Sequence, residues 1–210
     1  MITKRLFGFT LVLTLLVALS ILQKPLTAAP ARATSTAWQT LPGPTGGSLT
    51  DVILSPDYQQ DRTLFVATHG RGVYRSTDDA FAWSPTGLDE GEVVDLAVSP
   101  NFANDQTLFA LTGLWTTGFT VQRSADGGAS WQPSTTPASF AAGLSLLISP
   151  DFAADQTLYL LTAVDNHTYI STDGGVTFAQ AGGWLAAHDI NALAFSPNFA
   201  ADQTLFALVP

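Results

Sequence analysis

Hydrophobic and polar positions divide this chain into two unlike parts. The first is one apolar run from Leu6 to Leu22, preceded by Lys4 and Arg5 and followed by small residues. The second breaks into short apolar runs separated by Ser, Pro, Asp, Asn and Gly. Runs bounded in this way predict β-strands, and no helical period follows the leading segment. Four runs are apolar throughout or nearly so: Asp51 to Leu54, Val93 to Val98, Leu144 to Ile148 and Ile190 to Phe195. Such runs suit a strand buried on both faces, and each is expected to be the innermost strand, A, of a repeating unit. Strand B follows from Thr63 to Thr68, Thr107 to Thr112, Thr157 to Thr162 and Thr204 to Val209. Strand C runs from Gly72 to Arg75, Thr120 to Arg123 and Thr168 to Ile170, and strand D starts at Trp83, Trp131 or Phe178.

Two motifs recur in phase with this pattern. Ser124, Asp126, Gly128 and Trp131 form a Ser-x-Asp-x-Gly-x-x-Trp corner, repeated by Ser171, Asp173, Gly175 and Phe178. Ser76, Asp78 and Trp83 repeat it again, with Ala80 in the glycine position. The serines lie 48 and 47 residues apart. Ser and Asp oxygens accept hydrogen bonds from the N–H groups of a tight turn, and Gly supplies a positive φ. The second motif, Ser-Pro-x-Phe-x-x-Asp-x-Thr-Leu-Phe, occurs at Ser55 (with Tyr58 for the first Phe), Ser99, Ser149 (with Tyr159 for the last) and Ser196. Self-similarity at this period predicts a solenoid or a propeller of four-stranded blades. Trp38 aligns with Trp83 and Trp131, so it opens a D strand without its corner.

The corners at Ser76, Ser124 and Ser171 resemble the Asp-box repeat of bacterial neuraminidases. With the Ser-Pro motif they resemble Asp-box β-propellers of secreted and envelope proteins, from about Trp38 to Pro210. The resemblance implies an all-β propeller of four-stranded antiparallel blades. About three and a half blades are present: one D strand, three A-B-C-D units and an A-B pair. A ring needs typically about four to eight blades, so the chain is expected to be a fragment of a longer propeller. Pairing of two copies in one ring is the alternative, and the open arc is expected to self-associate. The superfamily includes sialidases, xyloglucan-degrading glycosidases, sortilin-type receptors and the photosystem II assembly factor, so the resemblance does not fix the function.

The leading run has the pattern of a secretory signal peptide, with Ala31-Arg32-Ala33 fitting the cleavage rule. Residues 1–33 are therefore expected to be removed and the remainder exported to the envelope or beyond. An uncleaved membrane anchor is the alternative. Residues 34–210 hold four arginines, no lysine and all 17 acidic residues, a net charge of −13. Such a surface repels phosphate backbones and anionic headgroups, which argues against nucleic acid and membrane partners. The chain has no cysteine, hence no disulfide framework and no thiolate metal site.

In a propeller the A-B and C-D connections share one end of the blades, and the B-C and D-A loops share the other. The first pair is nearly identical from unit to unit, whereas the second diverges. Repetition suits scaffold and divergence suits recognition, so binding candidates are His69, Arg71, Trp115 and His167 in B-C loops and Trp184 and His188 in a D-A loop. Asn166-His167-Thr168 also fits the N-glycosylation acceptor pattern. Asp57/Asp61, Asn101/Asp105, Asp151/Asp155 and Asn198/Asp202 could hold calcium or cap a turn, and turn capping is favoured. Glu90 and Glu92, the only glutamates, read as a solvated loop rather than an acid–base pair. The sialidase branch implies three arginines on a substrate carboxylate, one in Arg-Ile-Pro, and a Tyr nucleophile paired with Glu. No Arg-Ile-Pro occurs, and Arg75 and Arg123 sit equivalently beside the corners. No catalytic residue, metal or cofactor is assigned. The favoured reading is a non-catalytic scaffold that binds a protein or glycan; a fragment of a secreted glycoside hydrolase is the alternative.

Overall fold

The computed structural model describes residues 40–45, 47–89, 91–114, 118–136, 143–162 and 167–210. The leader and Trp38 lie outside the described residues. Chain contacts separate residues 1–40 from a unit spanning Leu41–Pro210, which holds all the strands described below.

Three sheets of four antiparallel strands follow one another, each strand beside its predecessor. The first contains β1 (Leu49–Leu54), β2 (Leu64–Thr68), β3 (Gly72–Ser76) and β4 (Ser84–Pro85). The second contains β5 (Val93–Val98), β6 (Leu108–Leu114), β7 (Gly118–Ser124) and β8 (Gln132–Pro133). The third contains β9 (Gly143–Ile148), β10 (Leu158–Thr162), β11 (Thr168–Ser171) and β12 (Ala179–Gln180). A pair, β13 (Ala192–Phe195) and β14 (Leu205–Leu208), forms the fourth. The expected A to D order is present in each complete unit, although every D strand is only two residues long.

The A-B connections hold structure that the strand pattern did not reveal. Each contains one helical turn: α1 (Tyr58–Asp61), α2 (Phe102–Asp105), α3 (Phe152–Asp155) and α4 (Phe199–Asp202). A four-residue turn is too short for a hydrophobic period to register. Its closing Asp carries the geometry. Asp105 accepts from Ser99 Oγ at 2.6 Å and from Thr107 N–H at 2.9 Å, and the other three units repeat both bonds. Between Asp and Thr, residues Arg62, Gln106, Gln156 and Gln203 take left-handed backbone with φ of 50–53°. The three glutamines offset this by donating Nε2 to the carbonyl of the helical Phe. Turn capping thus belongs to the second member of each predicted oxygen pair. The first member, at the helix N-cap, makes no side-chain capping bond.

The hydrophobic core lies between sheets. Phe65, Ala67 and Val73 of the first pack with Leu96, Phe102, Leu108 and Ala110 of the second. Phe109, Leu111, Phe119 and Val121 of the second pack with Leu146, Phe152, Leu158 and Leu160 of the third. Leu161 packs with Ile190 and Leu193 at the next junction. In each of the first two junctions a strand-B phenylalanine meets the helical phenylalanine of the following unit edge-on, at 5.6 Å for Phe65–Phe102 and 5.9 Å for Phe109–Phe152.

Polar bonds cross the same junctions. The innermost strands are less apolar than they read, because β1 and β5 shift register at Asp51 and Asp95. Such an irregularity re-aims a side chain. Asp51 Oδ2 accepts from Leu96 N–H at 2.9 Å and Asp95 Oδ2 from Leu146 N–H at 2.6 Å. Burial pushes the Asp95 carboxyl above its usual range, opposed by the Leu146 bond and assisted by the charge of Asp51. On strand C, Arg123 Nε donates to Gly174 O at 2.8 Å, while Arg75 Nη1 donates to Gly127 O at 3.3 Å and leaves its buried Nε without a partner. Arg123→Met should therefore cost about 1.5–3 kcal/mol, the range for a hydrogen bond to a charged group. Arg75→Met should cost less, because it also removes an orphaned donor. Urea unfolding of the two variants checks the order.

Gly175 is a point of close approach between units. Its φ is +82°, and a Cβ there would sit 2.3 Å from Phe109 Cε1. Gly70 has a similar φ of +86° with open space around it. Gly175→Ala should lose about 2–4 kcal/mol through left-handed strain plus overpacking, and Gly70→Ala only about 1–2 kcal/mol through strain alone. Denaturant midpoints of the pair separate the two contributions.

Candidate functional site

The three Ser-x-Asp corners adopt one geometry. Ser76, Ser124 and Ser171 donate Oγ–H to Asp78, Asp126 and Asp173 at 2.7–2.8 Å. The same Oγ atoms accept from the N–H of Ala80, Gly128 and Gly175 at 2.9–3.1 Å. Each Asp then accepts a further N–H from Ala82, Ser130 or Thr177. Two residues of each corner are left-handed. They are Gly127/Gly128 and Gly174/Gly175 in the later units, but Asp79/Ala80 in the first. There Asp79 accepts from Tyr58 Oη–H at 2.7 Å and pairs with Arg62 at 3.4 Å. The closing aromatics differ in burial. Phe178 is buried, whereas Trp83 and Trp131 are half-buried. Their indole N–H groups explain this, because each needs a polar partner: Pro42 O for Trp83 and Gly128 O for Trp131. The corners are structural clamps with their oxygens engaged.

At the divergent end the described candidates form separate groups. His69 Nδ1 lies 3.1 Å from Glu92 Oε1, joining the first B-C loop to the following D-A loop. Arg71 forms an isolated bridge with Gly91 beside them and is exposed. His167 is a hairpin residue: its N–H donates to Thr162 Oγ1, its carbonyl accepts from Thr162, and its ring meets Tyr169 edge-on at 6.3 Å. Trp184 and His188 flank a short 3-10 turn (Leu185–Ala187) that the strand pattern missed. Their rings stack at 4.1 Å with 20° between planes, and His188 Nδ1 lies 2.9 Å from Trp184 O. Trp184 is 53% exposed. Trp115, Glu90 and Asn166 lie outside the described residues.

A cleft of about 660 Å³ opens at the other end of the blades, between the first and second corners. Arg75, Asp78, Ser84, Thr86, Asp126 and Gly127 are among its lining residues. Sequence reasoning placed recognition only at the divergent end and gave no sign of this cleft. It sits at the junction where Arg75 makes the longer of the two arginine bonds. No group of three His, Asp or Glu among the described residues is placed to hold a metal ion.

No protein family model matches the chain, and no curated protein matches it. Solved structures do. YCF48 from Cyanidioschyzon merolae is similar at 18% identity and TM-score 0.53, over 69% of this chain and 40% of that one. YCF48 bound to D1 peptide is similar at 12% identity and TM-score 0.55, over 78% and 48%. The GH74 enzyme of Niastella koreensis is similar at 21% identity and TM-score 0.53, over 77% and 26%. This chain spans between about a quarter and a half of the length of these relatives. The likeness fixes the fold: the chain is an all-β arrangement of four-stranded propeller blades, with three blades and a two-stranded pair among the described residues.

Ionisation at the corners has a measurable signature. Bonds from the Ser130 hydroxyl and N–H, then from Ser124, hold Asp126 at a pKa of about 2, below its ordinary 3.8. Asp78 is also lowered, chiefly by the Ala82 N–H. For Asp173 partial burial pushes upward, but the Thr177 and Ser171 bonds outweigh it. A depressed folded pKa contributes stability above the unfolded value, and that contribution is lost as pH falls through the folded one. Asp126 should thus help the fold fully above pH 3.8 and cease to help below about 2. Ser130→Ala should move its titration upward toward the ordinary value, read by carboxyl carbon NMR.

Proposed function

We propose that this chain is a non-catalytic binding propeller, exported by its leader, which recognises a protein partner through its B-C and D-A loops. The three corners are read as Asp-box repeats. The stacked Trp184–His188 pair carries the reading. An exposed indole stacked on a histidine ring that is itself tied to the backbone is a preorganised contact, and tryptophan is enriched among residues that dominate protein interfaces. His69, Arg71 and Glu92 form a polar counterpart on loops of the same class. The fold likeness to YCF48, solved with a D1 peptide, supports a protein partner. The net charge of −13 over residues 34–210 favours a basic or neutral surface, with association that weakens as salt rises.

The likeness to a GH74 enzyme favours a second reading, a piece of a secreted glycoside hydrolase. Glu92 is the described glutamate for acid–base work, and its contact with His69 instead ties two loops together. Affinity capture from the exporting cell's envelope, followed by binding isotherms, tests the first reading. Trp184→Ala should weaken the captured complex roughly thirtyfold, the loss expected of a hot spot worth about 2 kcal/mol. Turnover of xyloglucan, β-glucan or a sialoside that disappears in Glu92→Gln would sink the binding reading in favour of the hydrolase.

A further inference from the structure

The internal junctions show what each blade face takes. Register makes Phe206 the equivalent of Phe65, Phe109 and Tyr159, since all oppose the same position of strand A: Ala194, Ile53, Ala97 and Leu147. Phe65 and Phe109 are both 0% exposed, inserted against the helical phenylalanine of the following blade. Phe206 is 60% exposed, and Leu208, the equivalent of buried Leu111 and Leu161, is 62% exposed. The opposite flank is bare at the matching place. Val52 stands where Leu96, Leu146 and Leu193 stand in later blades. Those three are 6–8% exposed, while Val52 is 55% exposed and its neighbour Leu54 is 50%.

We infer that the β13–β14 flank, led by Phe206 and Leu208, docks head-to-tail on the β1 flank, led by Val52 and Leu54, of a second copy of this chain. The two faces are the separated halves of a junction the molecule already makes between its own blades. The occupant must offer a strand-A apolar row and a one-turn helix with an aromatic residue. This chain offers both, at Val52 and Leu54 and at Tyr58 of α1. The contact joins unlike faces, so it either closes as a pair or continues to larger assemblies.

Sedimentation velocity of the purified chain, up to about 0.1 mM to cover micromolar affinity, tests this. The wild type should run at twice the chain mass or a higher multiple. Phe206→Asp and Val52→Asp should each run as monomers. Their equimolar mixture should recover a species of two chains and stop there, because one of the two junctions is then free of both substitutions. Both positions are exposed in the single chain, so circular dichroism should be unchanged, and Leu208→Asp repeats the test on the same flank. A wild type that stays monomeric, variants that keep the wild-type mass, or a mixture that recovers nothing would each overturn the assignment. The first outcome would give the faces to further blades of another chain region or to a different partner.

Discussion

A four-stranded blade has two apolar faces and cannot cover either by itself. Everything else in this molecule follows from that constraint. The clusters around Phe65 and Phe109 each draw residues from two consecutive sheets, so the core is a series of layers between blades. Stability in such an array is a sum of blade terms and nearest-neighbour terms. The polar bonds obey the same logic. Asp51, Asp95, Arg75 and Arg123 all reach across a junction to backbone atoms of the following unit. Charged side chains here tie each blade to the backbone of the next.

Repetition in the chain made the fold legible. Ser124-x-Asp126 and Ser171-x-Asp173 announce equivalent corners, and the structure builds them bond for bond. Strand limits were legible because turn-forming residues bound each apolar run. Features shorter than a hydrophobic period were hidden. The helical turns α1 to α4 are of this kind, as is the 3-10 turn after Trp184. The junction role of Asp51 and Asp95 was hidden for another reason: it depends on a register shift, and register is a relation between strands that no single run displays.

The candidate site was legible only in outline. Divergence among loops pointed to His69, Arg71, Trp184 and His188, and it could not say which would meet. Pairing of His69 with Glu92 joins residues from two loops, and stacking of Trp184 on His188 depends on the intervening helical turn. The cleft between the first two corners had no signal, because the residues around it are the repeated ones. What distinguishes that junction is the choice of donor atom on an arginine, Nη1 rather than Nε.

The junctions are unequal, and this gives the array a mechanical direction. The layer joining β13 and β14 to the third blade rests on Leu161, Ile190 and Leu193, with a tilted Tyr159–Phe195 contact at 5.9 Å in place of the edge-on phenylalanine pairs of the first two junctions. No arginine stands beside the third corner either; Ile170 occupies the place held by Arg75 and Arg123. Tension applied between the two flanks would therefore peel the β13–β14 hairpin away first, as a small early force step. The first three blades would yield later and at higher load, because releasing any one of them opens an edge-on phenylalanine pair and an arginine clasp together.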